Sequence, residues 1–331
     1  MHRIIITGGS GFIGSHLAKR LLSDKGNDIV LLSNTPNLQE KFLAQRRLLQ
    51  DMPITFHTAD IRDRESMLDL FQNERPDICI HLAAKTGIAH PIVRTEETMD
   101  INVKGTLNTL EACHRSKVNN FVFASSAAVY GDIRELPIKE DYATKPVSTY
   151  GTSKMLAEQH VASFQRSKKI PNTVSLRVFS VYGSGQSSAV DVITRFAARL
   201  SRGLPPVIYG DGLHTRDFIS VDDVVEGILL SLRAMDGIEN GSYGLPLVFN
   251  IGTGTPTSIK QLAHKMIGLF GLELEPIYEQ ELENFGVIEH SYADTTRAKE
   301  LLCFVAKKGL DTGLSELVST MSNQDMQSLN L

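Results

Sequence analysis

The first fourteen residues restrict the possible folds of this chain more than any other segment. Residues 3–7 contain three consecutive isoleucines and a threonine, and this pattern predicts a buried β-strand. The strand runs into Gly8, Gly11 and Gly14, spaced G-x-x-G-x-x-G at the start of a helical segment. In such a turn the backbone approaches a pyrophosphate closely, and the helix N-terminus offers amide donors. The chain is therefore predicted to open with a dinucleotide-binding βα unit.

Beyond this unit, short apolar runs alternate with segments of helical character. The further strand-like runs lie at residues 29–32, 55–57, 78–82, 121–125 and 174–179. Strands that alternate with helices are typical of an α/β fold with a doubly wound parallel sheet, the Rossmann architecture. From about residue 180, Gly- and Pro-rich turns indicate a smaller α/β lobe. We expect a Rossmann domain at 1–179, a partly interleaved substrate lobe at 180–318 and a flexible tail at 319–331.

Composition excludes several classes of partner. The 34 Lys and Arg residues nearly balance the 38 Asp and Glu residues, so no global field recruits nucleic acid or an anionic membrane. No apolar run approaches the roughly 20 residues that span a bilayer, and the early first strand leaves no room for a signal peptide. Cys79, Cys113 and Cys303 are few and far apart, which favours reduced thiols. We therefore expect a cytoplasmic protein, and no pattern suggests a metal site.

Tyr150 and Lys154 supply the parts of an acid–base pair. They are four residues apart on a predicted helix and therefore share one face. A free phenol has a pKa of about 10, and a neighbouring ammonium favours its ionised form, so the pair can remove a proton from a sugar hydroxyl. Ser125 and Ser126 follow a predicted strand, at the sheet edge where α/β folds bind ligands. A surface pair and a simple turn are the alternative interpretations.

Four motifs occur in a fixed order along the chain: TGGSGFIG from residue 7, SSAAVYG from 125, YGTSK from 150 and GDGLHTRDF from 210. Together they resemble the extended short-chain dehydrogenase/reductase family and, within it, the nucleotide-sugar epimerases of the NAD-dependent epimerase/dehydratase group. The resemblance runs from about residue 2 to residue 315. It implies NAD as cofactor and 4-epimerisation of UDP-glucose and UDP-galactose through a transient 4-keto sugar, with hydride shuttled to and from NAD. It also implies a homodimer formed through helices near 96–116 and 150–167.

The resemblance assigns roles to individual residues. Ser126, Tyr150 and Lys154 are the expected catalytic residues, with Lys154 also holding the nicotinamide ribose. The expected cofactor contacts are Gly8, Gly11, Phe12, Ile13, Gly14, Ser33, Asn34, Asp60, Ile61, Leu82, Ala83, Ala84, Tyr150 and Lys154. The expected substrate contacts are Ser126, Ser180, Val190, Arg216 and Ser291. Arg216 suits the diphosphate because its guanidinium can donate two parallel hydrogen bonds; a surface ion pair with Asp217 is the alternative.

Two departures from the family pattern bear on cofactor and chemistry. Ser33 stands where NAD-dependent relatives usually have an Asp for the adenosine ribose, but no adjacent Arg or Lys could bind a 2′-phosphate. NAD therefore remains the expected cofactor, with NADP as the alternative. Ala127 and Ala128 stand where related dehydratases have an Asp-Glu pair and related decarboxylases a Glu. Their methyl groups transfer no protons, which favours simple epimerisation over elimination.

Other departures concern the substrate. Ser180 stands where glucose/galactose epimerases commonly have Asn, and residues 284–286 lack the Arg that usually supplies a second diphosphate contact. Ser291 leaves room for a larger sugar. UDP-glucuronate and UDP-N-acetylhexosamine therefore remain alternative substrates. A nucleotide-sugar dehydrogenase or reductase, and a dinucleotide-binding protein without turnover, are the alternatives of another class.

Overall fold

The structure, a computed structural model, describes residues 2–23, 26–34, 53–86, 95–186, 191–236, 247–280 and 288–320. The strands are β1 (His2–Thr7), β2 (Asn27–Ser33), β3 (Thr55–Thr58), β4 (Ile78–His81), β5 (Asn120–Ser126), β6 (Asn172–Val178), β7 (Ser180–Tyr182), β8 (Val207–Tyr209), β9 (Thr215–Ser220), β10 (Leu247–Ile251), β11 (Pro256–Ser258), β12 (Ile277–Glu279) and β13 (His290–Ser291). The helices are α1 (Phe12–Ser23), α2 (Arg64–Glu74), α3 (Thr95–Met99), α4 (Gly105–Arg115), α5 (Thr149–Arg166), α6 (Val192–Leu200), α7 (Val221–Asp236), α8 (Ile259–Leu269), α9 (Thr296–Leu302) and α10 (Leu310–Thr320). A π-helical turn (Asp100–Lys104) joins α3 to α4, and a 3₁₀ turn (Ala127–Val129) follows β5.

Seven parallel strands form the main sheet, in the order β10-β6-β5-β4-β1-β2-β3. The chain moves outward from β1 through β2 to β3, then returns to β4 on the other side of β1. The strand order therefore reverses between β1 and β4, which is the switch point where such sheets bind ligands. The predicted doubly wound parallel sheet is confirmed, and each strand predicted at the sequence level lies within two residues of an observed one.

Both faces of the main sheet are covered. Alternate residues of β1 point to opposite faces: Ile4 and Ile6 enter the core shared with α1 and α7, whereas Ile5 enters the core shared with α2, α4 and α5. Burial on both faces explains why β1, β2 and β4 are almost continuously apolar. Among the described residues, no helix combines the length and apolar character needed to cross a bilayer.

A smaller lobe stands at the carboxyl edge of the main sheet. It contains the strands β11-β9-β13 with β7 beside β9, the pair β12-β8, and an apolar core shared by α6, α8 and α10. β10 and α7 come after residue 180 yet join the main sheet and its core. The domain boundary at 179 remains a prediction. α10 continues to Thr320, so the first two residues of the expected tail are helical, while 321–331 lie outside the described residues.

Candidate active site

One cavity of about 1070 Å³ lies between the carboxyl ends of the main-sheet strands and the smaller lobe. It contains the predicted cofactor contacts Gly8, Gly11, Phe12, Ile13, Gly14, Ser33, Asn34, Asp60, Ile61, Leu82, Ala83, Ala84 and Tyr150 in its wall. The predicted substrate contacts Ser126, Ser180, Arg216 and Ser291 line the same cavity. Val190 and the segment 284–286 lie outside the described residues. Residues that are far apart in the chain are thus brought to one site.

The glycine turn fits a pyrophosphate. Gly8 has a φ of 69°, and a Cβ on it would lie 2.7 Å from the backbone nitrogen of Ala83. A Cβ on Gly14 would lie 2.5 Å from the carbonyl oxygen of Gly8. Larger residues would therefore push the turn away from β4. Because α1 begins at Phe12, its first-turn amides open at the cavity wall, where they favour an anion.

The cavity wall at Asp60 and Arg62 carries an ion pair that was not predicted. Ser33 is buried and accepts a hydrogen bond from the Ser10 hydroxyl at 2.6 Å. Asp60 accepts hydrogen bonds from Arg62 Nη2 at 2.6 Å and from the Arg62 amide at 2.9 Å. The side-chain hydrogen bond to the Arg62 guanidinium lowers the pKa of Asp60. Asp60 therefore stays an ionised hydrogen-bond acceptor in the cavity wall.

His81 belongs to the scaffold of the site. Its Nδ1 is 2.6 Å from the Thr7 hydroxyl and its Nε2 is 2.9 Å from the Thr106 hydroxyl. Complete burial lowers the pKa of His81 to about 3, so the ring is neutral at physiological pH. These contacts tie β1, β4 and α4 together beside the strand ends.

The predicted catalytic residues come from β5 and α5. Ser126 ends β5, and its hydroxyl accepts a hydrogen bond from the amide of Ala128 at 3.2 Å. α5 begins after Ser148, whose hydroxyl caps the helix through the amide of Gly151 at 3.0 Å. This cap fixes the first turn of α5, from which Tyr150 enters the cavity. Burial raises the pKa of Tyr150, and its side-chain hydrogen bond with Ser126 acts in the opposite direction.

Lys154 lies one turn further along α5, is buried, and is not among the residues that line the cavity. Its Nζ donates a hydrogen bond to the carbonyl oxygen of Ala124 at 2.7 Å and lies 6.0 Å from the centroid of the Tyr150 ring. Burial lowers the pKa of Lys154 to about 8, so the amine still carries a proton at neutral pH. The sequence predicted a lowered pKa for Tyr150. That expectation is wrong: the pKa of Tyr150 is raised, because burial of the phenol has a larger effect than its hydrogen bond with Ser126.

A buried ion pair behind the catalytic residues was not predicted. Arg177 on β6 donates to Glu158 on α5 through Nε at 3.0 Å and Nη2 at 2.9 Å. The Ser125 hydroxyl donates to the same carboxylate. Glu158 therefore links α5, β5 and β6 directly behind Ser126 and Lys154. The three elements are far apart in the chain, so a side-chain network between them produces no local sequence pattern from which it could be predicted.

Asn102, in the π-helical turn, was also missed. Its Oδ1 accepts from the Lys85 amide at 2.7 Å, and its Nδ2 donates to the Lys85 carbonyl at 3.0 Å and to the Ser153 hydroxyl at 2.9 Å. It thereby fixes the segment after β4 against α5. A single π turn within an α-helix often marks a functional site, and here it places the Asn102 amide between Lys85 and Ser153.

Arg216 and Ser291 face each other on neighbouring strands of the smaller lobe. They are paired in the parallel register of β9 and β13, and both line the cavity. Asp217 does not pair with Arg216. Its buried carboxylate accepts hydrogen bonds from the amides of Thr253 at 2.8 Å and Gly254 at 2.9 Å. The alternative of a surface Arg-Asp pair is therefore wrong, since Asp217 anchors the strand that presents Arg216.

Comparison with known proteins agrees with this geometry. The model of the NAD dependent epimerase/dehydratase family matches residues 4–252. The chain belongs to the NAD-dependent epimerase/dehydratase family. The resemblance inferred from the motifs and the expected NAD cofactor are both confirmed by this membership. Within the described ranges, no three His, Cys, Asp or Glu side chains are grouped to hold a metal ion.

The most informative relatives of this family member are epimerases. A putative UDP-glucose 4-epimerase of Methanocaldococcus jannaschii is 32% identical over 97% of this chain and 99% of its own length. The structure of the Thermotoga maritima UDP-glucose 4-epimerase with UDP-glucose has a TM-score of 0.85 and 30% identity over 96% of this chain and 97% of its own. The Bacillus cereus UDP-glucuronic acid 4-epimerase, solved with UDP-glucuronic acid and NAD, has a TM-score of 0.85 and 26% identity over 99% of this chain and 100% of its own.

Proposed function

We propose that this protein is a UDP-hexose 4-epimerase that interconverts UDP-glucose and UDP-galactose. The observation that carries the proposal is that the Ser126 and Tyr150 side chains line the same cavity as the glycine turn and Arg216. Hydroxyl groups for proton transfer thus share one space with a cradle for a dinucleotide and a cation for a diphosphate. The epimerase relatives support the same reaction.

In the proposed mechanism the protein holds the sugar and moves one proton. The turn that contains Gly8, Gly11 and Gly14 would hold NAD, and bound NAD would supply a reversible hydride acceptor for carbon 4 of the sugar. Tyr150, as the phenolate, accepts the proton of the C4 hydroxyl, and the Lys154 ammonium on the same helix face stabilises that phenolate. Ser126 shares a hydrogen bond with the same sugar oxygen. Return of the proton from Tyr150 completes the cycle after the ketone has presented its other face.

Elimination of water is disfavoured by the neighbours of Ser126. Ala127 and Ala128 form the first two positions of the 3₁₀ turn and line the cavity. A 4,6-dehydratase needs an acid and a base beside the sugar, and methyl groups supply neither. Because hydride is returned in each cycle, we also propose that reduced cofactor does not accumulate, in contrast to a dehydrogenase.

The sugar itself is the least constrained part of the proposal. Ser180 and Ser291 have small side chains in the cavity wall, and they would accommodate a C5 carboxylate or an N-acetyl group. UDP-glucuronate is the second candidate substrate, supported by the Bacillus cereus relative. We further propose that the protein works in the cytoplasm as a homodimer, joined through the paired helices α3–α4 and α5.

A substrate panel tests the proposal. NAD-loaded protein is incubated separately with UDP-glucose, UDP-glucuronate and UDP-N-acetylglucosamine, and the products are resolved by chromatography while absorbance reports NADH. We expect the 4-epimer of UDP-glucose without accumulation of NADH. NADH in stoichiometric amounts would identify a dehydrogenase, and an epimer from another sugar alone would reassign the substrate. No product from any sugar would contradict the proposal.

A further inference from the structure

Arg195 lines the cavity but belongs to none of the sequence motifs. It lies on the second turn of α6 and lines the same cavity as Arg216. Its guanidinium carbon lies 5.5 Å from the centroid of the Tyr209 ring. Its Nε is buried and has no hydrogen-bond partner among the described residues. A buried donor on a permanently charged group is costly when unpaired, and an anionic oxygen is the partner that satisfies it best.

The neighbours of Arg195 leave its charge available to a ligand. Asp191, one turn earlier, uses its carboxylate to cap α6 through the Thr194 amide at 3.0 Å and the Thr194 hydroxyl at 2.6 Å. Burial raises the pKa of Asp191, which the charge of Arg195 opposes. Tyr209 offers Arg195 the face of its ring, and a guanidinium stacked in this way keeps its N–H edge free for hydrogen bonding.

We propose that Arg195 is the second arginine of the diphosphate site and that it acts together with Arg216. This inference rests on the proposed function, since it assumes a nucleotide-sugar substrate. The diphosphate of such a substrate carries two negative charges, whereas Arg216 supplies only one positive charge. Residues 284–286, where a second arginine was expected from the family pattern, contain none. Arg195 supplies this charge from α6 in the smaller lobe.

Nucleotide binding to the NAD-loaded protein tests the assignment. Titration calorimetry with UDP and with uridine is compared for wild type, Arg195→Gln, Arg195→Lys and Arg216→Gln. Arg233→Gln is the control, because Arg233 is exposed at the end of α7 and lies outside the cavity wall. We expect Arg195→Gln to weaken UDP binding about 10- to 100-fold, the effect of one charge-assisted hydrogen bond, with uridine affinity unchanged. Arg195→Lys should restore part of the loss.

Other outcomes overturn the assignment in distinguishable ways. Equal UDP affinity in wild type and Arg195→Gln removes Arg195 from the diphosphate site while leaving the proposed epimerase intact. Equal loss for UDP and uridine assigns Arg195 to the base. Loss confined to UDP-glucuronate assigns it to a sugar carboxylate. If the wild-type protein binds no UDP, the proposed function is contradicted. The titrations are then repeated with dTDP and GDP. If Arg195→Gln binds both of these nucleotides as tightly as wild type, the arginine pair is contradicted as well.

Discussion

Tyr150 connects the geometry of the cavity to a specific proton transfer. Burial raises the pKa of the Tyr150 phenol, and the hydrogen bond with Ser126, which lowers the pKa, has the smaller effect. In the proposed mechanism the Lys154 ammonium, whose Nζ lies 6.0 Å from the ring centroid, and the cationic nicotinamide ring of bound NAD would both favour the ionised phenol.

Replacement of Tyr150 by Phe tests this role. The variant keeps the ring and loses the hydroxyl, so we expect turnover to fall by at least about 100-fold, the contribution of a positioned acid–base group. Bound NAD, measured after denaturation of the protein, should stay at the wild-type level. Near-normal turnover in Tyr150→Phe would remove Tyr150 from the chemistry.

The buried amine of Lys154 makes a prediction about pH. Its pKa is about 8 in the folded chain, against 10.5 for a free side chain. Between these values the unfolded chain binds more protons than the folded chain, so the Lys154 contribution to the free energy of unfolding rises with pH. Relative to Lys154→Met, wild type freed of nucleotide should gain on the order of 1–3 kcal/mol from pH 7.5 to pH 10.

Urea unfolding of both chains at the two pH values measures this difference. Ionisable groups whose surroundings are the same in both chains cancel in the comparison. A difference that stays constant, or that falls as pH rises, would show that Lys154 is solvated.

The sequence predicted these residues where their spacing, or their position after a strand, is itself informative. The four-residue spacing of Tyr150 and Lys154, and the position of Ser126 after a strand, predicted residues that the fold brings to one site. The hydrogen bond from Lys154 to Ala124 and the raised pKa of Tyr150 could not be predicted. Both depend on burial, which is a property of the packed molecule.

At the level of elements, Glu158 and Arg177 hold the catalytic helix against the sheet. The pair is bidentate and almost fully buried, and Glu158 also accepts from Ser125. A broken buried ion pair leaves one charge without a partner, whereas the intact pair offsets the cost of desolvation. The pair therefore fixes the spacing between α5 and the ends of β5 and β6.

We expect Glu158→Gln to lower the free energy of unfolding by about 3–5 kcal/mol, because it leaves Arg177 charged and buried. The double variant Glu158→Gln/Arg177→Met should recover part of this loss, since it removes the unpaired charge. Urea unfolding measures both. A loss below about 1 kcal/mol in the single variant is typical of exposed pairs and would contradict the proposed link.

Individual elements were easier to predict than their partners. β1 and β2 are short apolar runs bounded by turn residues, which is a local signal. The addition of β10 to the edge of β6 was not predicted, because strand pairing between residues 70 or more positions apart leaves no periodic trace. The same limit hid the anchoring of β9 by Asp217, whose partners follow β10 in the chain.

At the scale of the whole molecule, the fold closes one cavity between two lobes that share chain segments. Most of the predicted cofactor contacts lie at the edge of the main sheet, and the predicted substrate contacts Ser180, Arg216 and Ser291 lie on β7, β9 and β13 of the smaller lobe. The helices α4 and α5 cover the same face of the sheet, on the side away from α1 and α7. The proposed dimer would bury their outer surfaces against a second copy.

This dimer can be tested through Leu156, an apolar residue of α5 that is only half-buried in the single chain. We expect light scattering to give about twice the single-chain mass of 36.5 kDa for wild type. Leu156→Glu should give the single-chain mass, because an interface buries the new charge without a partner. Leu301→Glu, at an exposed position on α9, is the matched control and should stay dimeric. A wild-type protein of single-chain mass would contradict the dimer.

Isotope labelling shows whether carbon 4 of the sugar loses and regains the same hydrogen. UDP-glucose carrying deuterium at carbon 4 is incubated with the NAD-loaded protein in ordinary water, and the UDP-galactose formed is examined by NMR. We expect carbon 4 of the product to keep its deuterium and none of it to reach solvent. Loss of deuterium from carbon 4, or its accumulation in released cofactor, would contradict a 4-keto mechanism with hydride return.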